Sequence, residues 1–228
     1  GGSAVDAAIA VQATLSLVEP QSSGLGGGGF MVHYDAETKS IDYYNGREKA
    51  PMAVSKDLFL QTNGEPMSRR TAKNSGISIG VPGVISLFTL AHADHGKLPW
   101  KTLFRPAYHH SVEGFAVSPR MHRSISRYSR FFHKTLEQGP TDLYDYLFTE
   151  EGEPLPVGYI LRNPDYAETL KLVAEDPRNF YTGKIAEQIV ASVQRQPMAG
   201  SLTLKDLADY SAVKRDPYCS TYRDTTLC

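Results

Sequence analysis

An α+β fold dominated by helices is what this sequence predicts, and three observations predict it. Apolar residues recur at helical spacing in stretch after stretch, from Val5 to Val193. Met31–Tyr34 and Ile41–Tyr44, separated by the turn-forming DAETK, form a strand, a turn and a strand near the start. A weakly alternating segment from Val213 to Leu227 adds an unpaired strand at the end. With 228 residues, 41% of them hydrophobic, the chain is long enough for one large domain or two small ones with a real core. The formal net charge of −1 gives no electrostatic reason to expect a nucleic-acid partner. No apolar run of about 18 residues is present, so none is predicted to cross a bilayer as a helix.

The first helix opens at Ser3, whose hydroxyl suits a free backbone amide while Asp6 complements the dipole. Val5, Ala8, Ile9, Gln12, Ala13 and Leu17 follow at helical spacing, and Glu19-Pro20 ends the helix. Asn45-Gly46 is expected to bend the chain just before Arg47. Residues 61–76 are expected to be a polar loop, and Ile77–Gly83 a short extended piece. Val84, Leu87, Phe88 and Ala91 mark a helix that stops at Gly96, and Leu103, Phe104, Ala107 and Val112 face inward on the next, which ends at Gly114. Ser118-Pro119 opens a helix with one apolar stripe (Met121, Ile125, Tyr128, Phe132) and one basic stripe (Arg120, Arg123, Arg127, Arg130, Lys134), the latter expected to be a solvated face. A glycine- and proline-punctuated connection over 138–158 precedes helices starting at Asn163-Pro164, after Gly183, and at Thr203.

Several stretches invite a chemical reading. Gly26–Gly29 looks like a phosphate cradle, but such loops follow a strand and open a helix, and here the order is reversed. Gly76-Ile77-Ser78-Ile79-Gly80 matches the nucleophile-elbow spacing, yet no buried strand precedes Ser78 and Val81-Pro82-Gly83 delays the helix. An independent serine hydrolase using Ser78 is the alternative this leaves. His92 and His95 lie one turn apart without the Glu of a zinc-helix motif, so they are expected to cap a helix end and no metal is expected. Cys219 and Cys228 could close a loop, although Cys228, as the last residue, is expected to be disordered or free. Arg47-Glu48, after a strand and close to the glycine run, fits either a surface ion pair or a carboxylate clamp, since a guanidinium presents a planar fork of donors.

The runs GGSAVDAAIAVQATLSLVEPQSSGLGGGGFM and NGREKAP, followed by SIGVPGVISLFTLAHADHGKLPWKTLFRPA, DPRNFYTGKIAEQIV and LTLKDLADYSAVKRDP, resemble the large subunit of γ-glutamyltranspeptidases (glutathione hydrolases), bacterial members above all. The resemblance implies part of an αββα N-terminal-nucleophile hydrolase sandwich, with residues 1–228 a single partial domain completed by a small subunit. That partner would carry an N-terminal threonine which attacks the γ-glutamyl amide of glutathione and similar compounds, with its own amine as base. The acyl group would pass to water or to an amine, with no cofactor and no metal. By the same resemblance Arg47 grips the α-carboxylate of the γ-glutamyl group, Glu48 orients Arg47, and no catalytic residue lies on this chain. Thr225-Thr226 is only an echo of a nucleophilic start, having no free amine. Both ends are expected to be cut from a longer proenzyme, acting outside the cytoplasm; the alternatives are the independent serine hydrolase using Ser78 and a non-catalytic, degenerate relative of the family that binds a partner or a γ-glutamyl ligand.

Overall fold

The computed structural model describes residues 1–136, 142–195 and 198–228, and the side chains of 130–136 and 142 fall outside that description. In chain order the elements are α1 (Ala4–Val18), β1 (Gly29–Tyr34), β2 (Ile41–Gly46), α2 (Arg69–Lys73), α3 (Val84–His95), α4 (Arg105–Glu113), β3 (Phe115–Ala116) and α5 (Pro119–Leu136). They continue with α6 (Asp142–Leu147), β4 (Ile160–Leu161), α7 (Pro164–Glu175), α8 (Gly183–Val193), α9 (Leu204–Ala208), β5 (Val213–Arg215), β6 (Ser220–Tyr222) and β7 (Thr225–Leu227). The result is the helix-rich α+β architecture that the periodicities predict.

The chain divides into two compact units, one of residues 1–8, 25–102 and 172–228, the other of residues 9–24 and 103–171. The first unit holds the antiparallel sheet β1-β2-β5. The β1–β2 hairpin runs in register from Gly29 opposite Gly46 to Tyr34 opposite Ile41, and β5 pairs on the other side of β2, Tyr43 opposite Arg215. The alternating side chains of β1 therefore split cleanly. Phe30, Val32 and Tyr34 stand exposed at 56–59% on one face. On the central strand β2, Tyr44 is fully buried. Val84, Ile85, Leu87, Phe88 and Ala91 of α3 are buried in the same unit, together with Phe180, Tyr181, Ile185, Ala186 and Leu207.

Asp6 holds the start of α1 in this unit. It completes a capping box, accepting from Ser3 N at 2.7 Å while its own amide donates to Ser3 Oγ at 3.1 Å. Its carboxylate also accepts from the amides of Lys97 and Leu98, just beyond α3. Burial would push this acid up, but those hydrogen bonds hold it below the ordinary aspartate range.

The second unit packs Leu17, Phe115, Val117, Met121, Ile125, Leu147, Phe148, Leu155 and Leu161 into one apolar cluster, with Tyr166 against it. Tyr166 settles its buried hydroxyl by donating to Ala13 O at 2.8 Å. Pro119 occupies the first turn of α5, whose Met121 amide is capped by Ser118 Oγ. Arg120 pairs with Glu19 at 3.0 Å, and Arg123 and Arg127 are exposed, as the solvated-face reading expects. Arg130, Phe132 and Lys134 lie outside the described side chains.

Five local expectations are corrected. Asn45-Gly46 does not bend; both residues are the extended end of β2. The loop over 61–76 contains α2, capped by Ser68 Oγ. Val112 and Tyr128 are exposed, because helical periodicity marks a face without saying how far the covering surface extends. The last segment is not an unpaired strand: β5 joins β2, while β6 and β7 form their own hairpin. Cys228 is not free. It forms a disulfide with Cys219 that closes this hairpin, which puts the exposed Thr225 and Thr226 inside a cross-linked loop.

Candidate functional site

The site begins with why Gly26–Gly29 are glycines. The carbonyl of Gly27 accepts from the amides of Gly83 (2.9 Å) and Val84 (3.1 Å), so the glycine run caps the N-terminus of α3 where Gly83 has no side chain to do so. A Cβ at Gly28 would lie 2.6 Å from Gly46 O and 2.7 Å from Glu48 Oε2. A Cβ at Gly46 would meet Leu87 Cβ at 2.5 Å and Gly83 O at 2.7 Å. The glycines thus let the run, the end of β2 and α3 close on one another, and no phosphate cradle is needed to explain them.

That packing fixes the backbone of Arg47. Its amide donates to Asn45 Oδ1 at 2.9 Å, and its carbonyl accepts from Tyr210 Oη at 2.7 Å. Tyr210 is itself held by a parallel stack on Tyr181, centroids 5.8 Å apart, with the Lys49 ammonium 5.0 Å from its ring centre. Burial, aided by the charge of Glu48, pushes the Tyr210 phenol up, which keeps it protonated and donating to the Arg47 carbonyl. Lys49 exchanges two backbone hydrogen bonds with Val81, anchoring the next residue but one.

The side chains then diverge. Glu48 is largely covered and Arg47 is 63% exposed, with Nη1 3.0 Å from Glu48 Oε2. That oxygen is buried and has no aligned hydrogen bond, so the pair is held by charge and proximity. One edge of the guanidinium faces Glu48, and most of the side chain faces outward. Such an arrangement suits a planar anion, which a fork of N–H donors engages two oxygens at a time. The sequence places Arg47 and Glu48 together, and the structure adds Gly28, Asn45 and Tyr210, which hold them. Of those, Gly28 carried a sequence signal, Asn45 carried one that pointed to a bend instead, and Tyr210 carried none.

Ser78 is elsewhere in character. It lies exposed in the 3-10 turn Gly76–Ser78, where its hydroxyl donates to Ser75 O at 3.2 Å, and α3 starts six residues later. The strand-to-helix corner of a nucleophile elbow is missing at Ser78. His92 behaves as a helix-end residue, its Nε2 2.9 Å from Leu98 O. His95 does more: its Nε2 lies 2.9 Å from Asp42 Oδ2 and 2.8 Å from Tyr44 Oη, and its ring stacks on His33.

Comparison with known proteins follows the same lines. The family model described as Gamma-glutamyltranspeptidase matches residues 1–228. The chain is 36% identical over 226 residues to the glutathione hydrolase proenzyme of Escherichia coli K12, and 35% identical over 220 residues to glutathione hydrolase 2 of Arabidopsis thaliana. These alignments take in 98% and 95% of this chain but 37% and 35% of those proteins, so it spans little more than a third of their length. The crystal structure of Helicobacter pylori γ-glutamyltranspeptidase superposes with a TM-score of 0.90 at 28% identity, covering 100% of this chain and 63% of that one. The Pseudomonas nitroreducens enzyme, solved with L-DON, gives 0.85 at 32%, covering 100% and 64%. With the α+β order, the glycine-packed strand end and the Arg-Glu pair in place, the chain belongs to the γ-glutamyltranspeptidase family and has its N-terminal-nucleophile hydrolase fold.

Proposed function

We propose that this chain is the carboxylate-recognising portion of a γ-glutamyl acyltransferase and hydrolase. The observation that carries the reading is an exposed guanidinium on a backbone fixed by Asn45 and Tyr210. Arg47 binds the α-carboxylate of a γ-glutamyl donor such as glutathione, and Glu48 keeps one edge of the fork turned toward it. The attacking hydroxyl comes from the N-terminal threonine of a small subunit cut from the same proenzyme, whose amine accepts the proton. The γ-glutamyl group then passes to water or to an amino acid or peptide amine, without a cofactor.

Residues 1–228 on this reading are one partial domain. The name proenzyme carried by the E. coli relative supports a processed partner, and so does the open apolar face of Phe30, Val32 and Tyr34, which a second layer would cover. A site outside the cytoplasm is supported by the Cys219–Cys228 disulfide, since such bonds persist in oxidising compartments. Among the described residues no helix is long and apolar enough to cross a membrane.

The test is Arg47→Lys in the full-length processed enzyme, which keeps the charge and removes the fork. The specificity constant toward a γ-glutamyl anilide is expected to fall with the loss concentrated on donor binding and acylation. An unchanged kcat/KM would remove Arg47 from the site.

A further inference from the structure

We propose that His33, Asp42 and His95 form a binding site for a divalent transition-metal ion of the zinc class. Each residue offers one ligand atom, and the three atoms lie within 4.8 Å of one another. Three elements, β1, β2 and α3, bring them together. His33 and Asp42 face each other in the β1–β2 register, and His95 is the last residue of α3. The His95 Nε2 is 2.9 Å from Asp42 Oδ2, and the His33 ring lies 3.8 Å from the His95 ring, centre to centre.

An independent feature supports the assignment. His33 Nδ1 is enclosed and makes no hydrogen bond. Buried ring nitrogens are normally partnered, and an orphan beside a second imidazole and a carboxylate is what a metal ligand looks like without its ion. The donor set selects the ion. Two imidazoles and one carboxylate suit Zn²⁺, Co²⁺ or Ni²⁺, whereas Ca²⁺ and Mg²⁺ take oxygen ligands. Three protein ligands leave a coordination position for water.

The surroundings orient these groups. Lys214 Nζ sits 3.0 Å from Asp42 Oδ1 and 2.8 Å from Asp94 Oδ2, which leaves Asp42 Oδ2 on the histidine side. Tyr44 Oη donates to Asp94 Oδ2 at 2.7 Å and lies 2.8 Å from His95 Nε2. The ion takes the place of hydrogen at His95 Nε2: a neutral imidazole then carries its one proton on Nδ1, and an imidazolium releases one proton to solvent. A metal lies in the plane of each imidazole that binds it, so two stacked rings cannot both ligate as they stand. Binding therefore requires His33 to turn out of the stack.

His92 and His95 share a helix, but the histidine that joins His95 comes from a strand 62 positions earlier. His92 is committed to Leu98 O and to the neighbourhood of Asp6.

The experiment uses the full-length, tag-free enzyme stripped with a chelator, titrated with ZnCl₂ by calorimetry and with Co²⁺ by visible absorption. One saturable equivalent per chain is expected, weakened by about tenfold or more in Asp42→Asn and in His33→Phe. The second variant keeps a stacked ring and removes both nitrogens, so a loss there is not a loss of packing, and its metal-free Tm checks folding. Absence of saturable binding, or equal affinity in wild type and His33→Phe, overturns the proposal. Either result leaves the assignment of Arg47 untouched, because that rests on donor kinetics.

Discussion

The two ends of the β1–β2 hairpin are held by different forces. At the Gly29–Gly46 end, backbone meets backbone and a few neutral polar groups: Gly27 O caps α3, Asn45 Oδ1 accepts from the Arg47 amide, and Tyr210 Oη donates to the Arg47 carbonyl. Toward the Tyr34–Ile41 end, charged side chains do the holding, with Asp42, Asp94, Lys214 and His95 gathered around Tyr44. Close backbone packing leaves little room for adjustment, so the first end fixes Arg47 in position. A charged cluster at intermediate exposure responds to salt, protons and ions. The first end suits a substrate clamp and the second suits an adjustable site.

The largest effect that would sharpen this contrast is on Arg47. Arg47→Lys is expected to cost about 2–5 kcal/mol in transition-state stabilisation, read as a drop in kcat/KM of roughly thirtyfold or more, with little change in Tm. The exposed side chain contributes to recognition and hardly to folding. A fall in Tm as large as the fall in activity would break the contrast, because it would make Arg47 a structural residue.

Next comes Gly46→Ala. The added methyl would start 2.5 Å from Leu87 Cβ and 2.7 Å from Gly83 O, and neither neighbour is the loose end of a flexible chain. Overpacking of this kind costs about 1–3 kcal/mol. Denaturant unfolding should show it, along with a raised KM for the donor as Arg47 shifts with the strand end. Wild-type stability for Gly46→Ala would mean that the glycine contact between β2 and α3 is not what sets this end.

A third effect depends on pH. Asp206 Oδ1 accepts from the Met52 amide at 2.9 Å, tying down the segment that follows Arg47-Glu48, while Oδ2 closes the Thr203 capping box at 2.9 Å. Burial pushes this carboxyl up, but the hydrogen bonds from Thr203 and Met52 outweigh it and hold it below the ordinary aspartate range. A lowered folded value means the stabilisation is present above the unfolded value near 4 and is lost as pH falls through the folded one. Asp206→Asn should therefore be less stable than wild type by roughly 1 kcal/mol at neutral pH. The two Tm curves should converge below about pH 4. Parallel curves down to acid pH would show that the charge on Asp206 is not what holds Met52.

Much of the Arg47 end was legible in the sequence, and almost none of the other end was. Ser3 with Asp6, Thr203 with Asp206, and Ser118-Pro119 are local grammar, since each cap acts within three residues of itself. The glycine run and Arg47-Glu48 stood close enough in sequence to be linked. The packing of Glu48 against Gly28 was hidden, because two residues twenty apart meet only once β1 and β2 pair. For the same reason Asn45-Gly46 looked like a bend, when in fact Gly46 is needed for closeness to Leu87. His33 carried no signal at all. In a strand of alternating exposure its position says which face it is on, not that His95 will stack on it. Cys219 and Cys228 had the right count, but their pairing depends on the β6–β7 register.

The smallest effect is the most discriminating test of the difference between the two ends. Lys214 bridges Asp42 and Asp94, and its Nζ lies over the Tyr44 ring, 5.4 Å from the centroid. Its side chain is 41% exposed, so water and ions reach the bridge. Hydrogen bonds donated to the Asp94 and Asp42 carboxylates hold the ammonium above the ordinary lysine range, so the stabilisation is present below the unfolded value and fades only at strongly alkaline pH. Lys214→Met keeps the apolar stem and removes the charge. Partly exposed pairs contribute about 0–1 kcal/mol, and the loss should shrink toward zero as salt shortens the Debye length from about 10 Å at 0.1 M to about 3 Å at 1 M. Gly46→Ala, in contrast, should be as damaging at high salt as at low, since a steric overlap is not screened. If both variants respond to salt alike, the two ends are not held by different forces, and the division between a fixed clamp and an adjustable cluster fails.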